Sequence, residues 1–137
     1  MVARGAGGER EIGIGEFFQG LFETALEPDE LLTEIRVPKP ATGAWSFQKF
    51  TQRAIDWAIV GVAVQGNQVA LVNMGGTPLR AAAVEAALAG GASPAGAAAH
   101  AAEGTSAASD IRASRDYREH LARVLVSRGL TEAASRA

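Results

Sequence analysis

Between Val60 and Val72 the chain reads VGVAVQGNQVALV, two runs rich in β-branched residues joined at Gly66 and Asn67. Glycine and asparagine accept the positive φ that a two-residue hairpin connection demands. An antiparallel strand pair is therefore predicted here, and everything else has to pack around a sheet. After Gly75 and Gly76 the pattern changes. Thr77 suits an N-cap, Pro78 the first helical position, and LRAAAVEAALAGG predicts a helix that a glycine pair ends. Ser93, Pro94 and Gly104 repeat that grammar around an alanine-rich second helix. In SDIRASRDYREHLARVLVSRGL, Tyr117, Leu121, Val124 and Leu125 fall on one stripe, and Arg115, Arg118, Glu119 and Arg123 are expected to point outward.

Upstream, EREIGIGEFFQGLFETAL predicts a short strand followed by a helical turn or two carrying Phe17, Phe18, Leu21 and Phe22. In ELLTEIRVP, Leu32, Glu34 and Arg36 alternate with Thr33, Ile35 and Val37, as in a half-buried strand ended by Pro38 and Pro40. WSFQKF alternates likewise, with Trp45, Phe47 and Lys49 on one face and Ser46, Gln48 and Phe50 on the other. Strands first and helices later point to an α+β fold: a small antiparallel sheet of three to four strands packed with a layer of three helices.

Composition narrows the chemistry. A chain of 137 residues supports one compact domain that buries roughly 65 to 70% of its unfolded surface. Its net charge of -2 disfavours nucleic acid as a partner, because neutralising phosphates needs clustered cations. No cysteine is present, so disulfides, thiolate metal sites and cysteine nucleophiles are excluded. MVARGAGGERE lacks the apolar core of a signal peptide, and no apolar run reaches the ~18 residues of a membrane span. A cytoplasmic location without membrane association is expected.

Most candidate motifs have a plainer reading. RGAGGER lacks a preceding strand and a GK[ST] ending, and is expected to be a turn or flexible terminus. MGGTPLR reads as a strand-to-helix turn. His100 and His120 lack convincing ligand partners, and no G-x-S-x-G elbow occurs. The arginines at 112, 115, 118, 123 and 128 are expected to form a solvated face with Asp116 and Glu119. KFTQRAID is less easily set aside: one of only two lysines, Lys49, stands with Arg53 and Asp56 just before the apolar WAIVGVAV.

REIGIGEFFQGLFETALEPDELLTEIRVP, FQKFTQRAIDWAIVGVAV, GGTPLRAAAVEAAL and SDIRASRDYREHLARVLVSRGL, in that order and spacing, resemble the C-terminal part of the FAD-binding medium subunit of the molybdenum hydroxylases. That family includes the carbon monoxide dehydrogenase, xanthine dehydrogenase and aldehyde oxidase flavoproteins. The resemblance implies a tail of the preceding FAD subdomain over 1–27 and a flavoprotein C-terminal-like domain over 28–137. It implies that Lys49 stands on the strand approaching the flavin, where a cation stabilises negative charge on the reduced ring. Leu32 matches an apolar position touching the cofactor, Phe47 an aromatic neighbour of the ring, and Arg53 and Asp56 the loop beside it.

It further implies an oxidoreductase subunit that passes electrons through FAD. Iron-sulfur clusters and the molybdenum cofactor would sit on partner subunits, a small iron-sulfur subunit and a large molybdenum subunit. The glycine-rich segments that hold the rest of FAD precede the matched region in the family, so an N-terminal FAD-binding half is the expected partner, and the chain alone is expected to bind little FAD and to be inactive. The rival expectation is a non-catalytic interaction module whose terminal helix docks a partner through its arginines.

Overall fold

The computed structural model describes residues 1–39 and 44–136, and the backbone gathers into two compact units, 1–41 and 42–137. In the first, β1 (Val2–Gly5) and β2 (Gly8–Glu11) form a hairpin, so the RGAGGER segment is its turn, with Gly8 at φ +118°. A single helical turn α1 (Ile14–Phe17) leads into β3 (Phe18–Gly20), which pairs with β4 (Glu23–Thr24). The helical spacing expected through Phe22 stops after Phe17, and Phe22 sits at φ 60° with its ring in solvent. Strand β5 (Leu31–Glu34) then pairs with β1, giving the order β2-β1-β5.

The expected half-burial of the strand over Leu32 does not occur, because all four residues of β5 are exposed. The reason is the unit's size. Its core cluster is Ala3, Ile12 and Phe17, flanked by Met1, Ala25 and Leu26, too little to cover an edge strand as well. An ion pair and a hydrogen bond from one guanidinium supplement it: Arg10 Nε donates to Glu30 at 2.6 Å and Arg10 Nη2 to the Ala25 carbonyl at 2.7 Å.

The second unit is built on the predicted hairpin. Strands β6 (Trp45–Phe50), β7 (Val60–Gln65), β8 (Gln68–Val72) and β9 (Leu79–Arg80) form one antiparallel sheet in that order, and Gly66 at φ 55° turns β7 into β8. Val60, Val62, Val64, Val69 and Leu71 are buried, and the helices α2 (Ala82–Ala89), α3 (Pro94–Ala98) and α4 (Arg115–Ala134) supply the other half of this core. The α+β architecture with a three-helix layer is therefore present. Ser93 caps α3 as expected, its Oγ accepting from the Gly96 N–H at 3.2 Å.

Two expectations are corrected. Thr77 and Pro78 do not open α2: Leu79 and Arg80 pair with Leu71 and Ala70 as β9, and the helix starts at Ala82 behind Ala81. A sheet edge offering backbone partners wins over a favourable cap sequence. Arg118 does not point outward. It is 1% exposed, because positions 118, 121, 122, 125 and 129 share the stripe of α4 that faces the sheet. No helix among the described residues is long and apolar enough to cross a membrane.

Candidate functional site

Alternation in β6 separates two environments. Ser46, Gln48 and Phe50 turn toward α4: Ser46 is buried, its Oγ donating to Glu132 at 2.6 Å, and the Phe50 ring meets Tyr117 edge-on at 6.3 Å. Trp45, Phe47 and Lys49 turn to the opposite face, where all three are exposed. Opposite them on β7 stand Gln65, Ala63 and Gly61, and Ala63 and Ala70 continue the row to Arg80 on β9. The open face is thus a strip of Gly61, Ala63 and Ala70 between Gln65 and Gln68 at one end and Val72 at the other, with two aromatic rings and a lysine on one edge strand and an arginine on the other.

A hollow of about 330 Å³ lies on this face, lined by Trp45, Phe47, Ala63, Gln65, Ala70 and Arg80 among others. Lys49 does not line it but projects one row further along the same strand. The floor is tight at that row, since a Cβ on Gly61 would stand 3.2 Å from Val72 Cβ. Arg80 is held by Glu85, Nε donating to Oε1 at 2.6 Å, and the same oxygen accepts from the Val69 N–H at 2.9 Å. Burial opposes charge on Glu85, but those hydrogen bonds outweigh it and keep its carboxyl below the ordinary range. The Arg136 guanidinium lies 4.4 Å over the Trp45 ring and donates to the Trp45 carbonyl at 3.0 Å, covering part of the edge strand.

Arg53 and Asp56 lie in the β6–β7 loop, where the Asp56 N–H donates to the Arg53 carbonyl at 3.0 Å. Ile59 N–H to Phe50 carbonyl, 2.8 Å, closes the loop, and Ile55 and Trp57 extend from it at 92% and 86% exposure. Among the described residues no ion pair engages Lys49, Arg53 or Asp56. The structure therefore groups Lys49 with Phe47 on one sheet face and Arg53 with Asp56 in the following loop. Leu32 belongs to β5 of the first unit.

Arg80 was missed as a site residue because the cap sequence before it argues for a helix. Trp45 carries a signal in the WSFQKF alternation that already places it with Phe47 and Lys49. The arginine patch expected on α4 loses Arg118 to the core, and Arg115 spends its Nε on the Ala107 carbonyl at 2.9 Å.

Residues 45–133 match the family model described as CO dehydrogenase flavoprotein C-terminal domain, and residues 1–40 the one described as FAD binding domain in molybdopterin dehydrogenase. The carbon monoxide dehydrogenase medium chain of Hydrogenophaga pseudoflava is 35% identical over 99% of this chain and 52% of its own length. The caffeine dehydrogenase subunit beta of Pseudomonas sp. strain CBB1 is 34% identical over 94% of this chain and 48% of its own. A solved structure of the Hydrogenophaga pseudoflava carbon monoxide dehydrogenase, lacking the Mo-pyranopterin moiety of its cofactor, superimposes with a TM-score of 0.90 at 36% identity, over 99% of this chain and 52% of that one. The chain spans about half the length of these relatives.

Proposed function

Because the chain belongs to the CO dehydrogenase flavoprotein C-terminal domain family, among the FAD-binding medium subunits of molybdenum hydroxylases, we propose that its second unit supplies one wall of a flavin site. The observation that carries this reading is the uncovered face of the β6–β9 sheet: Phe47 and Lys49 project from an edge strand over Gly61, Ala63 and Ala70, while the reverse face is sealed by helices. A planar ring needs a flat apolar seat without bulky side chains, and an isoalloxazine that gains negative charge on reduction gains from a cation beside it. This face has both.

FAD, when bound, supplies the redox chemistry. The residues of this chain shape its surroundings. Phe47 offers an aromatic edge, Lys49 a positive charge not consumed by any carboxylate among the described residues, and Arg53 and Asp56 a polar rim in the loop. Leu32 is proposed as an apolar contact on resemblance alone. The remaining contacts to FAD come from the N-terminal half of such a subunit, and the electrons from a small iron-sulfur subunit and a large molybdenum subunit in a cytoplasmic assembly. A single wall forfeits most of the contacts that give affinity.

FAD titrated into this chain alone, and into the chain mixed with the N-terminal half of the Hydrogenophaga medium chain, tests the proposal. Saturable binding is expected only in the mixture, at a Kd tighter than that of the added half by itself. Micromolar binding to the chain alone, or no gain over the added half, overturns it.

A further inference from the structure

The β6–β7 loop has little packing of its own. Of its three large apolar side chains, Ile55 and Trp57 stand in solvent and only Ile59, at the carboxyl end, is buried, and the hydrogen bond from the Asp56 N–H to Arg53 spans only its tip. A segment with so few buried contacts holds one conformation only if its ends are fixed. Both ends meet the first turn of α4. Phe50, where the loop leaves the sheet, packs its ring edge-on against Tyr117. Ile59, where the loop re-enters, gives its carbonyl to Arg118 Nη1 at 2.5 Å.

Arg118 is an expensive residue in this place. It is the largest fully buried side chain, and an uncompensated guanidinium would cost several kcal/mol there, whereas an apolar side chain of similar volume would pack without that penalty. Its charge is answered by Asp110, which accepts from Nη2 at 2.6 Å through Oδ2 and is itself fixed by the Arg112 and Ala113 N–H groups on Oδ1. A second side chain converges on the same backbone. Asn73, at φ 62° beyond β8, donates through Nδ2 to the carbonyls of Ala58 at 3.0 Å and Ile59 at 3.2 Å. Trp57, Asn73, Asp110 and Arg118 line one hollow of about 290 Å³.

We propose that Arg118, braced by Asp110 and assisted by Asn73, is a positioning residue that latches the carboxyl end of the β6–β7 loop and so sets how Arg53, Asp56 and Trp57 are presented. The latch stands on these hydrogen bonds; that the presented loop borders a flavin rests on the reading of the preceding subsection.

The test uses the full chain labelled with 5-fluorotryptophan, whose two tryptophan resonances are assigned through Trp57→Phe, together with amide exchange. In Arg118→Met the Trp57 resonance is expected to shift or broaden while that of Trp45 stays, and the Ile59 amide to exchange at least tenfold faster with Val62 and Val64 unchanged. Arg118→Lys, which keeps a cationic donor on the same turn of α4, is expected to restore part of the protection. An unchanged Trp57 signal and Ile59 rate in folded Arg118→Met, or exchange that rises equally along β7, overturns the latch. If Arg118→Met fails to fold, Asp110→Asn and Asn73→Ala carry the same readouts with the same two outcomes. Each variant is then mixed with the N-terminal half and titrated with FAD. A loosened loop with unaltered FAD affinity counts against the loop's place beside the flavin and leaves the latch standing.

Discussion

Ser46 and Glu132, 86 positions apart, share a hydrogen bond of 2.6 Å where the last helix crosses the edge strand. The same carboxylate accepts from the Gln48 amide and pairs with Arg136, so one side chain ties two inward residues of β6 to the end of α4. Replacing Glu132 by Ala leaves the Ser46 hydroxyl, which is buried, without its acceptor. A loss of about 1–3 kcal/mol in denaturant unfolding is expected, and a Ser46→Ala, Glu132→Ala double-mutant cycle should show coupling of about 0.5–1.5 kcal/mol. Additive effects would mean that the two do not act together.

Gly129 lies in the same contact. A Cβ there would stand 3.1 Å from Val64 Cγ2 and 3.4 Å from Gln48 Cγ, so glycine lets the helix approach β6 and β7 closely. Gly129→Leu is expected to destabilise by about 1–3 kcal/mol through overpacking. Gly129→Ala is expected to stay within about 1 kcal/mol of the parent, since the helix-propensity gain of alanine opposes the crowding. Thermal melts of both variants check the order; a stabilised Gly129→Leu would refute the close approach.

The sheet-and-helix plan was legible because its signals are local: Gly66 and Asn67 for the hairpin, Ser93 and Pro94 for α3, the alternation that puts Lys49 with Phe47 and Trp45. What stayed hidden depends on distant partners. Leu79 and Arg80 become strand only because β8 offers them an edge, and Arg118 is buried only because Asp110 and the Ile59 carbonyl answer its charge. The helical phase of Arg118 with Leu121, Ala122 and Leu125 was visible, yet a charge is ordinarily assigned to solvent. Lys49, Arg53 and Asp56 stand out in the sequence as a charged trio before an apolar run, whereas Phe47 and Leu32 enter as site residues only through the resemblance.

The helix starts give a direct check on that difference. Ser114 Oγ accepts from the Tyr117 N–H at 3.2 Å, whereas Thr77 caps nothing, since α2 begins behind Ala81. Ser114→Ala is expected to cost about 1 kcal/mol and Thr77→Ala less than about 0.5 kcal/mol. Equal losses in urea unfolding would restore Thr77 as a cap.

Besides Glu85, acid should act through Glu30 and Asp110. Hydrogen bonds from Arg10, then from the Glu27 N–H, lower Glu30 from 4.5 to about 2. Hydrogen bonds from the Arg112 and Ala113 N–H groups, then from Arg118, hold Asp110 below its ordinary value. Both folded-state values lie under the unfolded ones, so their contribution is fully present above the unfolded values and is lost as pH falls through the folded ones. For Glu30 that window runs from about 4.5 down to about 2. Carboxyl chemical shifts followed by NMR should show Glu30 titrating well below its ordinary value, and Glu30→Gln and Asp110→Asn should each flatten the acid limb of stability. A Glu30 midpoint above 4 would remove the first of these contributions.

Lys49 gives the most direct test of the flavin reading. It makes no ion pair among the described residues, so Lys49→Ala should leave the melting temperature of the chain within error. In the mixture with the N-terminal half, loss of a cation beside a ring that becomes negative on reduction should lower the flavin midpoint potential. The expected fall is on the order of 30 mV, the two-electron equivalent of about 1.4 kcal/mol. Lys49→Arg should keep most of that potential, because it keeps the charge on the same strand. Phe47→Ala should instead weaken FAD binding, by up to roughly tenfold, with a smaller change in potential, since a ring contributes contact area and not charge. Lys39→Ala, at the only other lysine of the chain, is the charge-matched control and should change neither quantity. Equal potentials in the parent, Lys49→Ala and Lys39→Ala would detach the open face of β6 from the flavin, and an equal fall in Lys49→Ala and Lys39→Ala would trace it to net charge and not to the place of Lys49 on the strand.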